Sequence, residues 1–339
     1  MRAPVTNGSA GLWTLAWKRL RADRLAMAAL AVVAAFLLLL VLSASGLVAA
    51  DWEDEVGVNY APPTFAGVPN PGTVAAATTA PPARANPFDP LAADLAALRA
   101  QLPDGGAPPV RRATLPFGAD KWGHDIVQKT IKGGETSIVV GLVAAFVAVG
   151  LGTLFGAISG YYGGLVDDAF NWLYNVFTSI PSILMILTVA AVLQQKGVLT
   201  IVLILGLTGW TGPYRLIRAE YIKHKAREYV LAADAIGASA WRKMFAHIFP
   251  NVSHVALVQM SILVVGFIKA EVILSFLGFG VPAGVVSWGS MLNEAQNELL
   301  LGKWWQLTAA ATAMAVLVTA FSLLADALRD ALDPKVKTR

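Results

Sequence analysis

Cysteine is absent from the 339 residues, so no disulfide framework, thiol nucleophile or cysteine metal site can be built. Charge is scarce as well. Asp, Glu, Lys and Arg make up 14% of the chain, against roughly 25% in a soluble domain. Only four histidines occur, His124, His224, His247 and His254, and no two stand at metal-ligand spacing. No metal site is expected. No Gly-x-x-x-x-Gly-Lys-Ser/Thr run is present, so the chain is not expected to bind nucleotide phosphates itself. A cleavable leader is not expected either. The first apolar run begins near Leu25, is long enough to span a bilayer, and stays uncharged to Ala50.

What remains is apolar: 56% of residues are hydrophobic, and the mean hydropathy is +0.60. A bilayer core about 30 Å thick takes about 20 residues of helix. Runs of that kind lie at Leu25–Leu47, Thr136–Ser159, Ala169–Val192, Val198–Tyr214, Val255–Leu277 and Trp304–Leu324, so about six transmembrane helices are expected. The fourth is short and holds Gly206, Gly209, Gly212 and Pro213. The net charge of +4 sits beside the spans, which reads as orientation charge rather than a nucleic-acid footprint. Arg2, Lys18, Arg19, Arg21 and Arg24 precede the first span. Arg215, Arg218, Lys223, Lys225, Arg227, Arg242 and Lys243 follow the fourth, and Arg329, Lys335, Lys337 and Arg339 close the chain. Both termini are therefore expected in the cytoplasm.

Residues 51–116 carry most of the prolines, and much of this segment is expected to be extended or irregular. One helix is expected within it, capped by Asp89, with Pro90 at its first position and Leu91, Leu95, Leu98 and Leu102 on one side. In the second span Ala144, Ala148, Gly152, Gly156 and Gly160 recur every four residues. Such a smooth face lets another helix approach closely.

The most informative stretch lies between spans four and five. Glu228–Gly237 gives a short helix with small residues at Ala232, Ala233 and Ala235, ended by Gly237. A second helical stretch runs to Pro250. Two readings stand for such a surface: a helix that docks into a groove on another protein, or one that lies on anionic lipid.

This loop resembles the coupling loop of binding-protein-dependent ABC importer permeases. Their signature is Glu-Ala-Ala, a Gly four residues later, and a Leu-Pro further on. Ala232, Ala233, Gly237 and Pro250 fill matching positions; Leu231 stands at the Glu position and Phe249 at the Leu. Further matches narrow the resemblance to the oligopeptide/dipeptide (nickel) permease family and its second, C-type subunit. They are Phe117–Asp120 with Gly123–Asp125, Gly160–Gly164 with Asp167 and Asp168, Ser275–Gly280 with Ser287–Leu292, and Asp326–Pro334. His124 stands where the family usually has Arg.

The resemblance implies an all-α integral membrane protein with the type I ABC importer permease fold, in a bacterial cytoplasmic membrane. The apolar runs and their flanking charge divide the chain into an expected cytoplasmic segment 1–24, a first helix 25–50 and an external Pro-rich loop 51–116, followed, where the resemblance applies, by a five-helix core 117–334 and a tail 335–339. The coupling loop is about 215–251, with Tyr229, Ala232, Ala233, Asp234, Gly237, Ala238 and Pro250 as its contact residues. The implied partners are a second permease, two ATPase subunits that use ATP and Mg, and an external substrate-binding protein that delivers di- or oligopeptides. This chain would bind no cofactor and catalyse no reaction.

Lys269 and Glu271 lie inside the fifth span, where a mid-helix charge costs about 2.5–3.5 kcal/mol. Two residues apart, they point in different directions. They are expected near the outer surface, as an outer gate or as interfacial anchors. Asp167, Asp168, Asp326, Arg329 and Asp330 at span ends are expected to be structural, and Trp304 with Trp305 to anchor at the interface. Three other readings stand beside this one. The same architecture could carry nickel chelates, peptide antibiotics or other small solutes. An ion-driven secondary transporter would need internal repeats and midplane carboxylates, and no repeat is found. A membrane-embedded enzyme would need ionisable residues that the spans lack.

Overall fold

Asp125 starts the longest helix by accepting hydrogen bonds from the amides of Val127 (2.7 Å) and Gln128 (3.4 Å). No proline follows until the chain has passed Tyr162, and glycine and alanine dominate the middle, so the helix runs uninterrupted over Ile126–Tyr162. The computed structural model describes residues 12–67, 94 and 111–332. Of the helix expected around Leu91–Leu102 only Asp94 is described, and it is helical; the rest lies outside the described residues.

Eleven α-helical elements, with a short 3-10 turn at Thr64–Ala66, order the described chain. They are α1 Leu12–Ala22, α2 Arg24–Ala44, α3 Ile126–Tyr162, α4 Gly164–Thr178, α5 Ser182–Leu193 and α6 Val198–Thr208. Then come α7 Thr211–Lys225, α8 Glu228–Ala235, α9 Ala240–Phe276, α10 Trp288–Leu300 and α11 Trp305–Leu332. Among the described residues there is no strand, only three isolated bridges: Gly57–Arg112 and Pro63–Leu115 join the chain on either side of residues 68–110, and Ala119–Asp125 closes a local turn.

Four helices, α2, α3, α9 and α11, are long and apolar enough to cross a membrane, and a fifth span exists if α4 and α5 count as one. Two of the six expected spans are broken. Between α4 and α5 the axis bends by 83°. Pro181 lacks a donor and pushes Ile180 out of the helical region, so the third expected span is angled rather than straight. The fourth divides at Gly209–Trp210 into α6 and α7. A Cβ at Gly209 would stand 2.3 Å from the Phe267 ring, so α9 packs tightly against the break.

α3 is the axis of the bundle and packs against α6, α7 and α9. The smooth face drawn from the sequence is what α7 rests on. Cβ atoms at Gly152, Gly156 and Gly160 would lie 2.6, 2.8 and 2.7 Å from the carbonyl oxygens of Trp210, Tyr214 and Arg218. Backbone therefore meets backbone along three turns. Where α3 ends, Arg218 of α7 grips Asp167 of α4 with two bonds of 2.6 and 2.5 Å.

Candidate functional site

Three features stand apart from simple packing: a protruding loop at the C-terminal end of α3, a groove beside α9, and a buried polar cluster at the N-terminal end of α3.

The loop is built by α8 and the start of α9. Gly237, at φ +80°, closes α8: its amide donates to the Asp234 carbonyl (2.9 Å), and the Ala238 amide donates to the Ala233 carbonyl (3.0 Å). This pair of bonds satisfies carbonyls that the helix end would leave open. Ser239 then caps α9, taking the Arg242 amide at 3.3 Å. Residues Lys243–Ile248 widen into a π-helical turn just ahead of Pro250, whose missing N–H and ring would disrupt a regular turn. Val230 and Ala233 point inward, Val230 among Tyr221, Met244 and Ile248. The Tyr221 hydroxyl donates to the Met244 carbonyl (3.0 Å), which ties the loop to α7. Asp234 pairs with Lys243.

The outer surface of the loop is apolar and bare. Leu231 is 57% exposed, Ile236 84% and Trp241 60%. Of the residues singled out from sequence, Tyr229, Ala232, Asp234, Gly237 and Pro250 are also exposed, Ala238 is half-buried, and only Ala233 is buried. Tyr229 holds His224 by its hydroxyl at 2.8 Å.

The groove, of about 430 Å³, lies where both helix breaks meet α9. Ser182 and Ile186 of α5, Thr208 and Thr211 beside the α6–α7 break, and Phe267 and Lys269 of α9 line it. Lys269 is exposed and has no ion-pair partner among the described residues. Glu271 points the other way and is fully buried. The hydroxyls of Ser137 and Ser275 each donate to it at 2.6 Å. Ser137 in turn accepts from the Trp288 amide (3.2 Å), so Glu271 bolts α3, α9 and the start of α10 together. Gly289 makes this closeness available, since a Cβ there would lie 2.6 Å from the Val272 carbonyl.

The polar cluster centres on Lys129, in the first turn of α3. Its ammonium donates to Asp120 (2.7 Å), Glu294 (2.6 Å) and Gln306 (3.4 Å). A cation at a helix start is opposed by the helix dipole, so these acceptors are needed to hold it. Asp120 is completely buried. It also accepts from the amides of Trp122 (2.8 Å) and His124 (3.0 Å) and lies 2.9 Å from the His124 ring. Burial alone would raise this carboxyl, but the His124 bond and the Lys129 charge hold it well below the usual carboxylate range. Glu298 has the opposite fate. It is 2% exposed, neither carboxyl oxygen has a hydrogen-bond partner among the described residues, and burial, opposed by Lys129 and assisted by Asp120 and Glu294, pushes it up to about 7. Sequence reasoning found Asp120 and His124 and missed Lys129, Glu294, Glu298 and Gln306. The four-residue spacing of Glu294 and Glu298 on α10 was the available signal. Among the described residues no group of three or more His, Asp or Glu could hold a metal ion.

Residues 152–338 match the model of the binding-protein-dependent transport system inner membrane component. Residues 11–63 match the N-terminal TM domain of oligopeptide transport permease C. The dipeptide transport system permease protein DppC of Bacillus subtilis is 37% identical over 221 residues, which is 65% of this chain and 69% of that protein. The oligopeptide transport system permease protein OppC of the same organism is 37% identical over 65% of this chain and 72% of its own. OppC of Haemophilus influenzae is 34% identical over 65% and 70%.

Proposed function

This chain belongs to the family of binding-protein-dependent transport system inner membrane components, and from that premise we propose that it is the C-type permease of an ATP-driven importer of di- and oligopeptides. It is a membrane-embedded permease and not an ATPase. Peptide cargo is inferred from relatives named as dipeptide and oligopeptide permeases. The proposed assembly is a second permease, two ATPase subunits that consume ATP and Mg, and an external binding protein, in a bacterial cytoplasmic membrane with both termini of this chain inside. Residues 51–116 then form an external segment and 117–334 the five-helix core.

The observation that carries the reading is the bare apolar surface of the loop, Leu231, Ile236 and Trp241, on a backbone held by its own hydrogen bonds. Exposed apolar residues on a preformed helix are what a groove on a partner can take up. In this reading Tyr229, Ala232, Ala233, Asp234, Gly237, Ala238 and Pro250 form or shape the coupling surface. A mechanism follows from what the loop is attached to. It joins α7 directly to α9, and these two helices, with α5 and the end of α6, wall the groove at Thr211 and at Phe267 and Lys269. Closure of the ATPases displaces the loop, and the two walls move with it. Glu271 locks the far side of α9 to α3 and gives the movement a fixed reference.

The test is purification of the tagged chain in mild detergent, with its companions identified by mass spectrometry. Recovery of ATPase subunits and a second permease supports the assembly, and uptake of labelled peptide by that complex in vesicles supports the cargo. Recovery of the chain alone from several gentle detergents would overturn the assignment of the loop.

A further inference from the structure

We propose that Lys269 is a cationic station in the translocation pathway, where it receives the free α-carboxylate of the peptide in transit. The inference rests on the peptide-importer reading above and adds which group of the substrate this chain recognises.

Lys269 lies seven residues before Phe276, the last residue of α9, or about 10 Å along the helix. An unpaired cation at such a position costs free energy unless it has a partner or lines water. Its own helix offers no partner, because Glu271 faces away and is bonded to Ser137 and Ser275. The facing elements offer none either: the groove lining is apolar, hydroxyl-bearing or glycine, and Lys269 is its one charged residue. A groove of about 430 Å³ falls in the range of about 300–1,000 Å³ that small-molecule sites occupy. Lys269 supplies its charge. Ser182 opens α5 in the same groove, so the positive end of that helix dipole adds potential of the same sign, whereas the start of α7 at Thr211 is met by the C-terminal end of α6 at Thr208 and adds no net potential. An anion is what this arrangement receives, and the anion common to all unmodified peptides is the terminal carboxylate. Because α7 and α9 are joined through the coupling loop, the ammonium and the Thr211 wall separate or approach as the loop moves. The carboxylate would then be held in one state and released in the other.

The proposal is tested on the intact complex in vesicles, with ATP, binding protein and radiolabelled dialanine. A water-soluble carbodiimide activates a carboxylate, and a neighbouring amine displaces the urea to form an amide. Lys269 carrying a dialanine amide after digestion and mass spectrometry is the expected result. Lys269 joined instead to an acidic residue of the second permease would overturn the proposal, as would an unlabelled Lys269 in a complex that transports dialanine. In parallel, K269M is expected to lower dialanine uptake about tenfold relative to K269R, the loss of one modest charge contact. Equal uptake by the two variants would also overturn it. Failure of the wild-type complex to transport any peptide would bring down the cargo reading, and this inference with it.

Discussion

The two ends of α3 solve opposite problems. At its start, charge is buried and paired: Lys129, Asp120, Glu294 and Gln306 come from a loop and three helices to share one set of hydrogen bonds. Beyond its end, apolar side chains stand in the open on α8 and the turn of α9, where helix caps, one ion pair, the Tyr221 bond to Met244 and a small core around Val230 hold the shape. Long-range polar bonds fix the first region in place. Local geometry shapes the second and leaves its apolar surface without a partner. The difference separates a region made to stay from a region made to be grasped.

Breaking the first region gives the largest expected effect on the fold. Lys129→Ala leaves Asp120 buried without its main counter-charge, a loss of about 3–5 kcal/mol. The thermal midpoint in detergent is expected to fall by many degrees, and Asp120→Asn in the same chain to restore part of it. An unchanged midpoint would mean that the cluster is ornamental and the comparison misplaced.

Glu298 sharpens the same comparison through pH. Its carboxyl titrates near 7 in the folded chain against an ordinary value of 4.5. Between those values the folded chain holds a proton that the unfolded chain has released. This contribution to stability is complete below about pH 4.5, declines as pH rises, and is lost above 7. Tyr60, Asp120, Lys129 and Glu294 are the ionisable groups around it. Wild type should therefore lose about 1–3 kcal/mol between pH 5 and 8 relative to Glu298→Gln, measured by unfolding both proteins at each pH. Parallel curves for the two would remove the buried carboxyl from the account.

The cluster also marks what sequence reasoning reaches and what it does not. The apolar runs, the smooth face of α3 and the loop with its glycine stop are local patterns, and each can be read within about two dozen residues. Asp120 lies nine positions from Lys129, but Glu294 and Gln306 lie 165 and 177 positions away, and nothing near Lys129 announces them. Pro181 carried a sign of the bend between α4 and α5, since a residue ahead of proline avoids the helical region, but the expected third span ran straight through it. The split at Gly209 had glycine and proline as its sign, but the ring packed against it, Phe267, is on another helix. At Lys269 and Glu271 the helical period separates the two side chains. Only the packing of α3, α5 and α7 assigns one to a bolt and the other to a groove.

Gly237→Val acts on the second region with a smaller cost in stability. A Cβ at Gly237 would meet nothing within 4 Å, so the penalty is conformational. At φ +80° a β-branched residue is strained by about 1–2 kcal/mol or more, and relief comes by opening the turn that follows Ala235. Membrane insertion is expected to be intact and transport abolished, as read by fractionation and peptide uptake. Normal uptake would count heavily against a coupling role for the loop.

Trp241→Ala should disturb the fold least and test the comparison most sharply. The indole is 60% exposed and stacks on Phe245 alone, with centroids 4.3 Å apart, so stability should change by no more than about 0.5 kcal/mol. If the exposed surface exists to be grasped, the ATPase subunits recovered with the variant should nonetheless fall several-fold, while the second permease stays bound. Lys129→Ala would show the reverse ranking, with a large loss of stability and no specific loss of the ATPases. A Trp241→Ala chain that keeps its ATPases and its uptake would move the docking surface elsewhere, toward Leu231 and Ile236. Loss of the second permease together with the ATPases would mean that the loop holds the bundle together, and the contrast between the two ends would collapse.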